Sequence, residues 1–316
     1  MIRHKRSTHI FIKTKCLLLI ISACIFVFAA CGANFNIHTN ILTLSPAYAV
    51  PSRVPIAPDD IFAPSAGNVY VRHGDVTIDT SNASSGYVMI RYEGSAKRAV
   101  ARIEKHDIEQ FYDFNLNVDG QWDVFTMTHG NGTYNITVFE NIQDDMFATV
   151  LTTSVEVTLY DYFLPFLHPN QYVNFNSDSR AVALAAELAS GAENDLDVVR
   201  NIYGYIVSNI NYDHDLAANI TAGNITAHLP DIDHTLVNRR GICFDYAALM
   251  TAMLRAQHIP ASLEIGLIFD NVYHAWVSAY ISNVGWIRLD PTLSAGASSF
   301  GEAQIGSADH KRLFVH

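Results

Sequence analysis

The residue pattern changes period near residue 160, and that change restricts the chain to a small set of architectures. Between residues 69 and 159, eight short runs rich in β-branched and aromatic residues alternate with turn signals, at 69–71, 76–78, 87–92, 99–103, 111–118, 122–127, 134–139 and 154–159. Asp119-Gly120 and Gly130-Asn131-Gly132 read as hairpin turns, because Gly and Asx residues accept the positive φ such turns require. Seven or eight strands over about 90 residues predict an all-β sandwich at 68–160. Beyond it the apolar spacing turns helical. Ser177 and Asp178 are placed to cap a helix over 179–189, and Asn194 or Asp195 to cap one running to Asn209. The stretch 217–238 looks irregular and reads as a groove wall or a surface loop.

The chemistry-bearing residues lie in the second region. Cys243 stands in Gly241-Ile242-Cys243-Phe244-Asp245-Tyr246-Ala247, His274 in His274-Ala275-Trp276, and Asp290 in Trp286-Ile287-Arg288-Leu289-Asp290-Pro291-Thr292. A free thiol, with a pKa of about 8.5, is mostly protonated at neutral pH, so a nucleophilic cysteine needs a base or a positive environment. An imidazole supplies the base, and a carboxylate on its other nitrogen fixes tautomer and orientation. The run 244–257 is rich in helix formers and is preceded by Gly241, which places Cys243 at a helix N-terminus, where unpaired amides favour an anion. Pro260 helps end that helix. Strands are expected at 261–269, 273–281 and 286–289, the last leading into Asp290.

Three ordered motifs, Gly-x-Cys opening a helix, His-Ala-Trp on a strand and Trp-x-x-x-Asp-Pro-Thr, resemble the core of the transglutaminase-like superfamily over residues 167–292. The resemblance implies a papain-like α+β fold, with Cys243 as nucleophile, His274 as general base and acid, and Asp290 as its orienting partner. The fold class expected for the whole chain is therefore α+β: a papain-like transglutaminase core at 161–316, preceded by an immunoglobulin-like sandwich. That second similarity is architectural only, since no internal Cys pair accompanies it. The oxyanion donors are expected to include the backbone amide of Cys243 and a group from the preceding loop, with Asn238 and Arg240 as candidates. Asp245 complements the helix dipole and receives no catalytic role.

Cysteine usage narrows the reading. The chain has four Cys, at 16, 24, 31 and 243. The first 15 residues carry Arg3, Lys5, Arg6, Lys13 and Lys15 and no acid, and an apolar stretch over 17–30 follows. That is the form of an export signal within 1–49, too short to span a bilayer, which takes about 20 apolar residues. Two processing sites compete: Phe28-Ala29-Ala30-Cys31-Gly32 resembles a lipobox that would lipidate Cys31, and Ala47-Tyr48-Ala49 is an ordinary A-x-A site. Either predicts an exported protein, extracellular or anchored at the cell surface by lipid, with a Pro-rich linker at 50–67. Cys243 is then a thiol with no structural disulfide framework around it.

Loss of five of the 20 basic residues and none of the 31 acidic ones moves the formal charge from −11 to −16. Such a surface repels phosphate backbones and argues against a nucleic-acid partner. Asp213, His214, Asp215, His228, Asp231, Asp233 and His234 fit neither a calcium loop nor a paired-His zinc motif, and no cofactor or metal is expected. The predicted activity is acyl transfer on protein or peptide amides, by hydrolysis or by crosslinking to an amine. The competing readings are a catalytically inactive surface-binding or adhesion module, and a thiol acetyltransferase, whose acyl donor is normally cytoplasmic.

Overall fold

A computed structural model of the chain describes residues 56–269, 271–295 and 310–316. The export signal, the lipobox at Cys31, the other two leader cysteines and residues 50–55 of the linker lie outside the described residues. The described chain divides into two compact units, Pro64–Pro165 and Phe166–His316, the second also including residues 56–63.

The first unit is built from eight strands: β1 Tyr70–His73, β2 Val76–Asp79, β3 Tyr87–Tyr92, β4 Ala99–Lys105, β5 Phe111–Asn115, β6 Trp122–Thr126, β7 Gly132–Gln143 and β8 Met146–Val157. They form two antiparallel four-stranded sheets, ordered β1-β2-β3-β6 and β5-β4-β7-β8. Along β6 and β7 buried and half-buried residues alternate, as expected of strands with one face on a core. Phe114 of β5 meets Phe125 of β6 at 4.9 Å between ring centroids, which joins the inner faces of the two sheets. The last strand begins eight residues earlier than its apolar run suggests. Asp144, at a φ of 48°, turns β7 directly into β8, and the pairing continues from Gln143 opposite Met146 to Gly132 opposite Val157.

The second unit is mixed α+β. Helices α1 Arg180–Ala189 and α2 Asp195–Asn209 come first, followed by a two-residue strand β9 Asn211–Tyr212, α3 His214–Thr221, α4 Ile232–Asn238, a two-residue strand β10 Arg240–Gly241, and α5 Cys243–Ala256. Strands β11 Ala261–Ile268, β12 Val272–Ile281, β13 Gly285–Leu289 and β14 Lys311–Val315 make an antiparallel sheet ordered β13-β12-β11-β14. From Asp245 to Ala256 every residue of α5 is buried, packed on β11 and β12 and on helices α1, α2 and α4. Burial of Leu249, Met253 and Leu254 contributes about 1.5–3 kcal/mol each, so this central helix anchors the unit's core.

Two parts of the helical region differ from the sequence expectation. The stretch 217–238 is irregular only at 222–231: it also contains the end of α3 and all of α4, because Asp213 accepts from the Leu216 amide and Asp231 from the His234 amide, each capping a short helix. The cap of α1 also differs, since Ser179 rather than Ser177 or Asp178 is its N-cap and makes no side-chain cap bond. The Asp233 carboxylate takes the first two α1 amides instead, each at 2.9 Å, which ties α4 to α1.

Arg255, fully buried near the end of α5, donates from Nε to the Ala261 carbonyl (2.9 Å), from Nη1 to that of His168 (2.6 Å) and from Nη2 to that of His316 (2.8 Å). Burial pushes its guanidinium pKa down to about 9. No helix among the described residues is long and apolar enough to cross a membrane.

Candidate active site

The approach to the thiol is set by local backbone geometry. Arg239, in the left-handed region at a φ of 52°, terminates α4, and Arg240-Gly241 then pair in parallel with Asn211-Tyr212. Gly241 has to be small, because a Cβ there would lie 2.7 Å from the Asp245 Cβ. Ile242 follows in extended geometry as N-cap, and Cys243 is the first residue of α5. Ile242 has no side-chain acceptor, so the cap is one-sided: Asp245 Oδ2 reaches back and accepts from the Ile242 amide at 2.9 Å. Cys243 is half-buried and free, at the amide-rich end of the helix.

His274 enters from β12, opposite Gly266 of β11, and Asp290 lies directly after β13, the neighbour of β12. His274 Nε2 donates to Asp290 Oδ2 at 2.8 Å, although the two residues are 16 apart in the chain. With Nε2 so engaged, Nδ1 is the ring nitrogen not taken by Asp290, and Cys243 is near enough to act on the charge of the His274 ring. All three expected residues are therefore brought together.

The electrostatics of the pair follow from burial opposed by partners. Burial disfavours the His274 imidazolium, yet the charge of a Cys243 thiolate and the hydrogen bonds to Asp290 and Cys243 outweigh it and raise the imidazole pKa. Burial likewise works against the Asp290 carboxylate. Donation from His274 and from His310, with the Leu293 amide, reverses that and holds Asp290 well below the ordinary carboxylate range. An ionised carboxylate, a charge-stabilised imidazole and a thiol at a helix start compose an array suited to thiolate chemistry.

Several supporting residues escaped the sequence reading. Tyr203 of α2 donates to the Asp290 carbonyl at 3.2 Å and fixes the backbone behind the carboxylate. His310, just before β14, places Nε2 3.1 Å from Asp290 Oδ2. His228 Nε2 lies 2.7 Å from Asp245 Oδ1 and anchors the segment before α4 to the start of α5. No local motif singled out Tyr203, and nothing in the local sequence of His228 or His310 pointed to either carboxylate. Of the oxyanion candidates, Asn238 is exposed, and Arg240 is held by Asp213 at 3.1 Å and Asp215 at 3.5 Å. Asp213, Asp231 and Asp233 serve as helix caps rather than as members of a solvated loop. Among the described residues no group of three or more His, Cys, Asp or Glu is arranged to hold a metal ion.

The chain is 26% identical over 171 residues to the UPF0252 protein MJ1282 of Methanocaldococcus jannaschii, an alignment that covers 49% of this chain and 48% of the relative. The chain thus spans about half the length of the curated relative it matches. Among solved structures it is similar to a candidate cysteine protease from Cytophaga hutchinsonii, at 20% identity and a TM-score of 0.38, covering 73% of this chain and 76% of that one. It is also similar to a TGase, at 15% identity and a TM-score of 0.31, covering 56% of this chain and 46% of that one. The stronger finding is a family model, described as the transglutaminase-like superfamily, that matches residues 182–291. That span begins in α1, contains Cys243, His274 and Asp290, and makes this part of the chain a transglutaminase-like core.

Proposed function

We propose that the protein is an acyl-transfer enzyme acting on amide bonds of proteins or peptides through a thioester on Cys243. The observation that carries this reading is the buried His274 imidazole, bonded to the Asp290 carboxylate and coupled electrostatically to the Cys243 thiol at the first turn of α5. In the first half-reaction the Cys243 sulfur bonds to the amide carbonyl carbon, and the thiol proton resides on His274. Collapse of the tetrahedral intermediate breaks the C–N bond, and His274 delivers its proton to the departing nitrogen. The acyl group remains on sulfur. Water or an amine then loses a proton to His274 as its oxygen or nitrogen attacks the thioester, and the thiol is regenerated. Water completes hydrolysis, whereas an amine completes a crosslink. Asp290 keeps its proton-free form throughout and orients the imidazole.

Hydrolysis is the favoured outcome, with cell-surface protein or wall peptide as the substrate class. The basic and then apolar start of the chain supports an exported location for this activity. The test combines an iodoacetamide probe at graded pH, wild type against His274→Ala, with assays of amine incorporation and ammonia release on a glutamine-containing protein. The expected result is labelling of Cys243 below the ordinary thiol range, lost in His274→Ala, with acyl release as free acid. An ordinary thiol pH profile that ignores the His274 substitution would overturn the activated nucleophile, and incorporation of the amine would decide for crosslinking.

A further inference from the structure

Asp290 Oδ2 receives two imidazoles rather than one, and the second comes from outside the span matched to the family. His310 Nε2 lies 3.1 Å from that oxygen, with the His310 side chain only 1% exposed. Because Asp290 is held ionised, it accepts from both rings and each Nε2 is a donor. Its other oxygen, Oδ1, takes the Leu293 amide at 3.0 Å. A carboxylate with only one donor on each oxygen keeps some play about its χ2 bond, a broad two-fold torsion. Donors on both oxygens, two of them sharing Oδ2, remove that freedom.

The setting of His310 is itself built. Its ring stands edge-on to Trp276 at 4.7 Å and 83°. Trp276 Nε1 donates to Glu264 Oε2 at 2.8 Å, and Glu264 Oε1 accepts from the exposed Arg312 at 3.2 Å, so β11, β12 and β14 share one polar cluster that runs from the core to the surface. The register of β14 against β11 shifts between Ile265 and Gly266, where Leu313 is the additional residue on β14. Such bulges re-aim side chains beside functional sites. Gly266 permits the approach, since a Cβ there would lie 2.1 Å from the Lys311 carbonyl and 2.7 Å from the Trp276 ring.

We propose that His310 is a positioning residue that holds the Asp290 carboxylate against His274, so that the chain leading into β14 completes the array begun by α5, β12 and β13. This rests on the acyl-transfer reading of Cys243. A histidine that only packed β14 against Trp276 would need no polar atom on Asp290, and that difference makes the two roles separable.

The experiment follows iodoacetamide alkylation of Cys243 from about pH 5 to 9 in wild type, His274→Ala, His310→Phe and His310→Gln, with thermal unfolding of each variant. His310→Phe keeps a ring on Trp276 and loses the donor, whereas Gln restores an N–H near the Nε2 position. The expected result is alkylation near neutral pH slowed by about 10- to 100-fold in His310→Phe, with the profile displaced upward in pH, and recovered to within a few-fold in His310→Gln. Should His310→Phe fail to fold, His310→Ala with added imidazole takes its place: return of the wild-type profile supports the assignment, and no return overturns it. A His310→Phe profile equal to wild type, while His274→Ala abolishes the activated thiol, overturns the role of His310 and leaves the acyl-transfer reading standing. Equal loss in Phe and Gln variants assigns His310 to packing alone and also overturns it. An ordinary wild-type thiol profile, indifferent to His274→Ala, brings down both.

Discussion

Asp79 and Asp123 of the all-β unit are as buried as Asp245 and Asp290 of the mixed unit, at 1%, 5%, 3% and 5% exposure, yet the four carboxylates serve different partners. Asp79 accepts from the Gly67 and Ser81 amides, and Asp123 from the amide and side chain of Asn117. Those bonds pin turns, and backbone amides and an Asn side chain do not titrate. In the mixed unit Asp245 meets His228 and Asp290 meets two histidines, while each also takes one backbone amide. A buried carboxylate thus indicates chemistry only when its partner can itself gain or lose a proton. The residue type is shared, and at Asp290 it is the titratable partners that separate site from scaffold.

The sharpest way to break that contrast is His274→Ala. Loss of the base is expected to lower acyl transfer at least about 10³-fold, measured as initial rate on a glutamine-containing substrate, while the melting transition persists. Asp290→Asn follows, with an expected fall of about 10²- to 10⁴-fold because an amide in place of the carboxylate favours the wrong imidazole tautomer. The same variant carries a pH signature. The folded-state pKa of Asp290 lies below its unfolded value, so its stabilisation is present above about pH 4 and is lost as the pH falls further. Asp290→Asn should therefore show a flatter decline of stability from about pH 4 to 2 in urea titrations than wild type does. For His274 the sign is opposite: its raised pKa stabilises the fold at low pH and that contribution fades as the pH climbs past the ordinary imidazole range.

Two stability experiments probe the scaffold side. Arg255→Met leaves the carbonyls of Ala261, His168 and His316 without their guanidinium donor, and a loss of about 3 kcal/mol is expected in chemical denaturation of the mixed unit. Asp79→Ala removes the acceptor of two turn amides, with an expected loss of about 1–2 kcal/mol and an unchanged rate of Cys243 alkylation. A changed alkylation rate in Asp79→Ala would erase the proposed distinction between the two kinds of carboxylate.

Local pattern carried most of the architecture, since β-branched runs between Gly and Asx turns locate all eight strands of the first unit, and helix formers bounded by Gly241 and Pro260 locate α5. Helices α3 and α4 were missed because, at eight and seven residues, each is too short for its apolar spacing to register. Their Asp caps were visible but read as loop acids. Cys243, His274 and Asp290 were legible because each sits in a motif of adjacent residues. His310 was not, since its partner is 20 residues away and its position depends on β14 pairing with β11, a non-local contact that no window of sequence contains. The run Lys311-Arg312-Leu313-Phe314-Val315 was the available hint of a strand there.

The three bonds of Arg255 have a consequence for how the protein acquires its shape. During synthesis the helix that bears Cys243 emerges well before the carbonyl of His316, one of the three acceptors of its buried guanidinium. Until that strand arrives, a cation in the middle of the nascent core lacks one of its partners, and the helix end stays accessible to water. Pairings of such long sequence separation slow folding, because the intervening loop must close before the contact rewards it. The order of emergence thus leaves the far end of α5 incompletely paired until the segment after β14 has docked.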